Sequence, residues 1–126
     1  MSKGKLLIVD DEPDIRKVLK KRLELEGFQC LTAKNGTEAI KVAQEEHPAL
    51  IVLDLVLPGK DGFQVYQELK GDENTRNIPI VVYTAQSPDI VAERGFDAIS
   101  AVDFVLKPFE SEGLISLIEK SLKNIK

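Results

Sequence analysis

Short apolar runs alternate with amphipathic segments along this chain, about five times each. Four of the runs are nearly free of polar residues: LLIV before Asp10, LIVL before Asp54, IVVY before Thr84 and FVL before Lys107. Such unbroken runs are the pattern of a strand buried on both faces of a parallel sheet, where a half-exposed strand would alternate. The fifth run, FQCLTA over 28–33, is more mixed and suits a sheet edge. The reading predicts strands near 5–10, 28–33, 49–54, 79–84 and 102–106, with helices near 13–26, 36–46, 62–71, 88–99 and 111–124.

Local signals agree with these bounds. Pro13 stands in the first turn of the first helix with acids around it, and Gly27 is placed to end it. Ile15, Val18, Leu19 and Leu23 are expected to form that helix's apolar face. Asn35-Gly36 marks a turn before the second helix, and Ser87-Pro88 is a cap-then-proline start for the fourth. Alternating β and α segments imply an α/β fold: a parallel sheet with right-handed crossovers and helices on both faces. Five strands favour the flavodoxin-like (βα)5 doubly wound order 2-1-3-4-5. The 126 residues are read as one domain, 1–126, with no internal repeat or linker and no expected output domain.

Composition narrows the partners. The net charge of −4 is no footprint for nucleic acid or an anionic membrane, so no direct nucleic-acid binding by this chain is expected. No apolar run approaches the roughly 20 residues of a membrane span. The lone cysteine, Cys30, cannot form an internal disulfide and reads as a small core residue. These features together suggest a cytoplasmic protein.

The ends of the runs carry the chemistry. In open α/β sheets, ligands bind outside the carboxyl ends of the strands. Asp10, Asp11, Asp54, Thr84 and Lys107 therefore converge on one crevice. Clustered carboxylates repel one another unless a cation is present, and oxygen-only ligands with water in the vacant positions suit Mg²⁺, with Mn²⁺ possible. Asp11 is the expected ligand and Asp10 a direct or water-mediated one. Helix capping and favourable dipole charge give a purely structural explanation for this acidic segment, and they fit Glu12 and Asp14 as solvated first-turn acids. They fit Asp10 less well, because a charged residue ending a buried strand needs a stronger reason. Asp54 is the candidate nucleophile, since a carboxylate can attack phosphorus to form an acyl phosphate. Lys107 suits pairing with Asp54 or its phosphate, and Thr84 offers a hydroxyl to a phosphate oxygen.

On Asp10-Asp11-Glu12, Asp54 through Gly62 (DLVLPGKDG), Thr84-Ala85 and Lys107-Pro108-Phe109, the chain resembles a receiver domain of two-component response regulators, in particular the single-domain chemotaxis type. The resemblance covers essentially the whole chain. It implies a phosphoprotein of a phosphorelay that accepts a phosphoryl group on Asp54 from a sensor histidine kinase or a histidine phosphotransfer protein. It implies Mg²⁺ held by Asp11, Asp54 and the backbone carbonyl of Val56, with Asp10 assisting. Thr84 and Lys107 would contact the phosphate, and Phe104 would be the aromatic switch residue. The response would be a changed α4-β5-α5 face that regulates a downstream protein or output domain. Such a chain is not expected to be an enzyme, although it would promote its own phosphorylation and dephosphorylation. The apolar Val56 cannot orient a water, so slower self-dephosphorylation is expected than with Asn at 56.

Other readings are weaker. A receiver-like module that binds a partner without phosphorylation would not need the complete acidic, hydroxyl and lysine set. A flavodoxin-like cofactor protein would need a Gly/Ser/Thr-rich phosphate loop after the first strand, where this chain has Asp-Asp-Glu. A phosphatase with an aspartyl nucleophile typically has a second aspartate two residues on, and Val56 stands there instead. His47, in a helix-to-strand connection, is expected to face solvent.

Overall fold

The computed structural model describes residues 4–54, 62–84, 103–106, 118–120 and 122. The expected helix over 88–99 and most of that over 111–124 lie outside the described residues, as do Val56 and Lys107.

Five strands are present: β1 (Lys5–Val9), β2 (Gln29–Ala33), β3 (Leu50–Asp54), β4 (Ile80–Thr84) and β5 (Asp103–Leu106). All neighbours pair in parallel, in the order β2-β1-β3-β4-β5. Among the described residues, three helices intervene between the strands: α1 (Pro13–Leu25), α2 (Gly36–Glu46) and α3 (Gly62–Gly71). Every one of these elements begins and ends within one residue of its expected bounds. The mixed run is an edge strand, β2, and the strands that carry the apolar runs LLIV and LIVL, β1 and β3, lie inside the sheet.

Strand alternation divides the core into two layers. Leu6 and Ile8 of β1, Leu50 and Val52 of β3, and Val81 of β4 face α1 through Leu19 and Leu23, with Ile118 beside them. The intervening residues Leu7, Val9, Ile51, Leu53 and Val82 face the other way, against Ala39 and Ala43 of α2 and Phe63, Val65 and Leu69 of α3. This two-sided burial is why the runs are apolar at every position. Each fully buried leucine or isoleucine contributes about 1.5–3 kcal/mol.

The apolar face of α1 needs one correction. Ile15 packs against the core and Leu19 and Leu23 are buried, but Val18 is 62% exposed. At about 100° per residue, Val18 lies roughly 100° round the helix from the line through Ile15, Leu19 and Leu23. It shares the side of the helix with the exposed Leu25, two turns on, outside the buried stripe.

Helix ends follow their local chemistry. Pro13 occupies the first turn of α1. At the other end, Gly27 takes φ 102°. Its N–H donates to Glu24 O, and the N–H of Phe28 donates to Leu23 O. This is the Schellman pattern, closed by the buried pair Phe28 and Leu23. In α2, the Asn35 side chain accepts the N–H of Glu38 at 2.8 Å. His47 ends α2 at φ 47°, a left-handed position usually taken by glycine.

Candidate active site

The site grows from the end of β1. Asp10 follows the last β1 residue, and its N–H still donates to Ala33 O of β2. The strand ladder therefore delivers the Asp10 carboxylate to the sheet's carboxyl edge, where it is 0% exposed. Its Oδ1 accepts the N–H of Glu12 at 2.8 Å. Glu12 is the N-cap residue of α1 and makes no side-chain cap bond. The capping explanation is thus half right: Asp10 satisfies a backbone donor where strand turns into helix, and its burial still exceeds what a cap requires.

One carboxylate oxygen from each of Asp10, Asp11 and Glu12 lies within 4.8 Å of the others. Asp11 and Glu12 are exposed, so the cluster opens to water on one side and rests on a buried acid on the other. Glu12, expected as a solvated acid, is exposed as expected and also close enough to join the group. Three carboxylate oxygens gathered in one place are the donor type that a hard divalent cation of the Mg²⁺ or Mn²⁺ kind takes.

Asp54 is the last residue of β3 and is 2% exposed. The β1–β3 register pairs Val9 with Leu53. Extended by one residue, the same register sets Asp10 level with Asp54 on adjacent strands, which lie about 4.8 Å apart. Asp54 also pairs with Tyr83 of β4, so Thr84 stands one residue further along the next strand. Thr84 pairs in turn with Leu106 of β5. The backbone thus brings Asp10, Asp54 and Thr84 to one edge of the sheet. Phe104 lies on β5 opposite Val82, two residues before that strand's end.

Arg16 was not singled out by sequence. It lies one helical turn after Glu12, and its Nη1 donates to the backbone carbonyl of Asp10 at 2.6 Å. Its own N–H donates to Glu12 O. The available signal was its i+4 spacing from the acidic segment, which an i, i+4 ion pair on a solvated helix face explains equally well.

Two other reactive side chains take no part. Cys30 is buried in the core layer under α1, and burial pushes its thiol up to about 11. His47 is exposed at the C-terminal end of α2, which leads into the start of β3 and so lies at the opposite edge of the sheet from Asp54.

The family model described as "Response regulator receiver domain" matches residues 6–119. The uncharacterized transcriptional regulatory protein YkoG of Bacillus subtilis is 42% identical over 126 residues, covering 98% of this chain and 53% of YkoG. The chain spans about half the length of the curated relatives it matches. Among solved structures, the signal receiver domain of a signal transduction histidine kinase from Syntrophus aciditrophicus superposes with a TM-score of 0.88. It is 33% identical, with 98% of this chain and 92% of that chain covered. The receiver domain of a sensor histidine kinase from Pseudomonas aeruginosa is 25% identical, with a TM-score of 0.85 over 96% of this chain and 98% of that one. That structure has a magnesium ion coordinated in its active site cleft.

Proposed function

The chain belongs to the response regulator receiver domain family, whose standard role is to accept a phosphoryl group, and we propose that it does so on Asp54. The observation that carries this reading is the burial of Asp54 at the carboxyl end of β3, level with the buried Asp10 on the neighbouring strand. A buried carboxylate is desolvated and held in one direction, which favours in-line attack over random encounter.

In the proposed reaction, a carboxylate oxygen of Asp54 attacks the phosphorus of a phosphohistidine on a sensor kinase or histidine phosphotransfer protein. The P–O bond forms, the P–N bond breaks, and the electron pair goes to the departing nitrogen of an imidazole whose other nitrogen already carries a proton, so that neutral imidazole leaves. Asp10 and Asp11, with Asp54 and the Val56 carbonyl, form the proposed cation site. A Mg²⁺ ion held by these residues would supply positive charge that lowers the repulsion between nucleophile and phosphoryl group. The Glu12 N–H holds one Asp10 carboxylate oxygen in place, on a strand position level with Asp54. Lys107 is assigned to the phosphoryl oxygens as a compact cation and Thr84 as a hydroxyl donor.

Phosphorylation draws Thr84 toward the new oxygens in this reading. Phe104 then fills the vacated space, and the face formed around β5 changes for a downstream protein or an output domain. Converting a 1:99 population to 99:1 needs roughly 5.5 kcal/mol of differential stabilisation. Several charge-assisted bonds to a phosphate supply a substantial part of that. The chain acts on itself in this scheme and turns over no separate substrate. No described helix is long and apolar enough to cross a membrane.

Incubation with a small acyl phosphate, with and without Mg²⁺, tests the proposal by intact mass. The expected result is a single Mg²⁺-dependent phosphoryl adduct, absent in Asp54→Asn. A folded protein that binds Mg²⁺ and forms no adduct would overturn the proposal in favour of a phosphorylation-independent binding module.

A further inference from the structure

We propose that Arg16 is a positioning residue for divalent-cation binding at the Asp10–Asp11–Glu12 turn, an inference that rests on the reading of Asp10 and Asp11 as cation ligands. Arg16 reaches the turn twice, once through its side chain and once through its backbone. Its guanidinium donates to Asp10 O at 2.6 Å, and its backbone N–H donates to Glu12 O at 3.1 Å. A further hydrogen bond runs inside the turn, from the Glu12 N–H to Asp10 Oδ1 at 2.8 Å. Arg16 therefore touches the first and last residues of the acidic tripeptide, while Pro13 fixes the chain's direction into α1.

Three carboxylates this close would spread apart in the absence of a cation. A charge-assisted bond to the carbonyl of the buried member resists that movement without using any carboxylate oxygen. The cluster is then already assembled when the cation arrives, and little binding energy is lost in ordering it. The guanidinium engages the backbone of Asp10, so its action reaches the cation through Asp10.

A competing role for Arg16 is simple charge neutralisation, and the two roles differ in sign. Removing a positive charge beside a cation site should tighten cation binding. Removing a positioning contact should weaken it, and partners of metal ligands typically change affinity by about 10–100-fold. Arg16 holds a backbone carbonyl and no ligand oxygen, so the low end, about tenfold, is expected.

The test is calorimetric titration of Mg²⁺ into unphosphorylated wild type, Arg16→Met, Arg16→Gln and Arg16→Lys, with no phosphodonor present. Thermal unfolding in chelator reports whether each variant is folded. The expected result is a Kd raised about tenfold in Arg16→Met and in Arg16→Gln, whose polar side chain suits the solvated helix surface if methionine does not. Arg16→Lys, which keeps the charge and one donor, is expected to recover part of the affinity. Unchanged or tighter Mg²⁺ binding in folded Arg16→Met or Arg16→Gln would overturn the assignment. Absence of Mg²⁺ binding by the wild type would instead overturn the cation site itself.

Discussion

Replacing Asp10 with asparagine should stabilise the metal-free protein. The side chain is 0% exposed, and its carboxylate lies no farther than 4.8 Å from those of Asp11 and Glu12. Two like charges at that distance repel by about 3.5 kcal/mol at an effective dielectric near 20, and by about 0.9 kcal/mol in bulk water. Asp11 and Glu12 are exposed, so a value nearer the aqueous limit applies, about 1–1.5 kcal/mol for each pair. Asparagine removes both repulsions, keeps an oxygen to accept the Glu12 N–H and keeps hydrogen-bonding capacity toward the further partner that Asp10 has. Losing the charge weakens that bond by about 1 kcal/mol. The net expectation is a gain of about 1–2 kcal/mol, or a Tm rise of roughly 4–8 °C for a chain of this size.

The assay is thermal and urea unfolding in chelator and again in saturating Mg²⁺. Wild type should gain about 2.7 kcal/mol at a Mg²⁺ concentration one hundred times Kd. Asp10→Asn, short of one ligand, should gain less, so its advantage shrinks or reverses. A variant no more stable than wild type in chelator would refute the argument. It would mean that local hydrogen bonding of the Asp10 carboxylate outweighs the repulsion.

Other expectations are simpler to check. Thr75 is 1% exposed and its Oγ1 donates to Leu69 O at 2.6 Å, so Thr75→Val should cost about 1–2 kcal/mol in urea unfolding by leaving that carbonyl short of a donor. Cys30, raised from 9.0 to about 11 by burial, should resist thiol reagents at pH 8 in the native state and react on unfolding. Because the unfolded thiol loses its proton first, the stability associated with Cys30 is present below pH 9 and lost as pH rises toward 11, which unfolding midpoints across that range will register. Val56→Asn should shorten the phosphoryl lifetime, read as loss of the intact-mass adduct with time; an equal or longer lifetime would remove water orientation at position 56 as a control.

Particular residues show how much was legible. Gly36–Glu46 forms a helix at its expected bounds, and its start carries a local signal that needs no tertiary partner: the Asn35 side chain accepts the Glu38 N–H. Val18 failed for the opposite reason. A sequence pattern lists apolar residues near a helical spacing, and only packing decides which arc of the helix meets the sheet. His47 shows the same limit in the backbone: it takes the left-handed end of α2 although nothing in its residue type announces that conformation.

The sequence alone determined the alternation of elements, the edge position of β2 and the residues that end each inner strand. These follow from the period of burial and from the polar residues that interrupt it, both written directly in residue order. Tertiary structure decided the rest of the site. It set Asp10 level with Asp54, because register depends on how neighbouring strands interlock. It drew Glu12 within reach of Asp10 and Asp11, because the turn closes on an Asp10 oxygen. It aimed Arg16 back at the Asp10 carbonyl, because only the angle at which α1 leaves β1 fixes where a long, flexible side chain finds its partner.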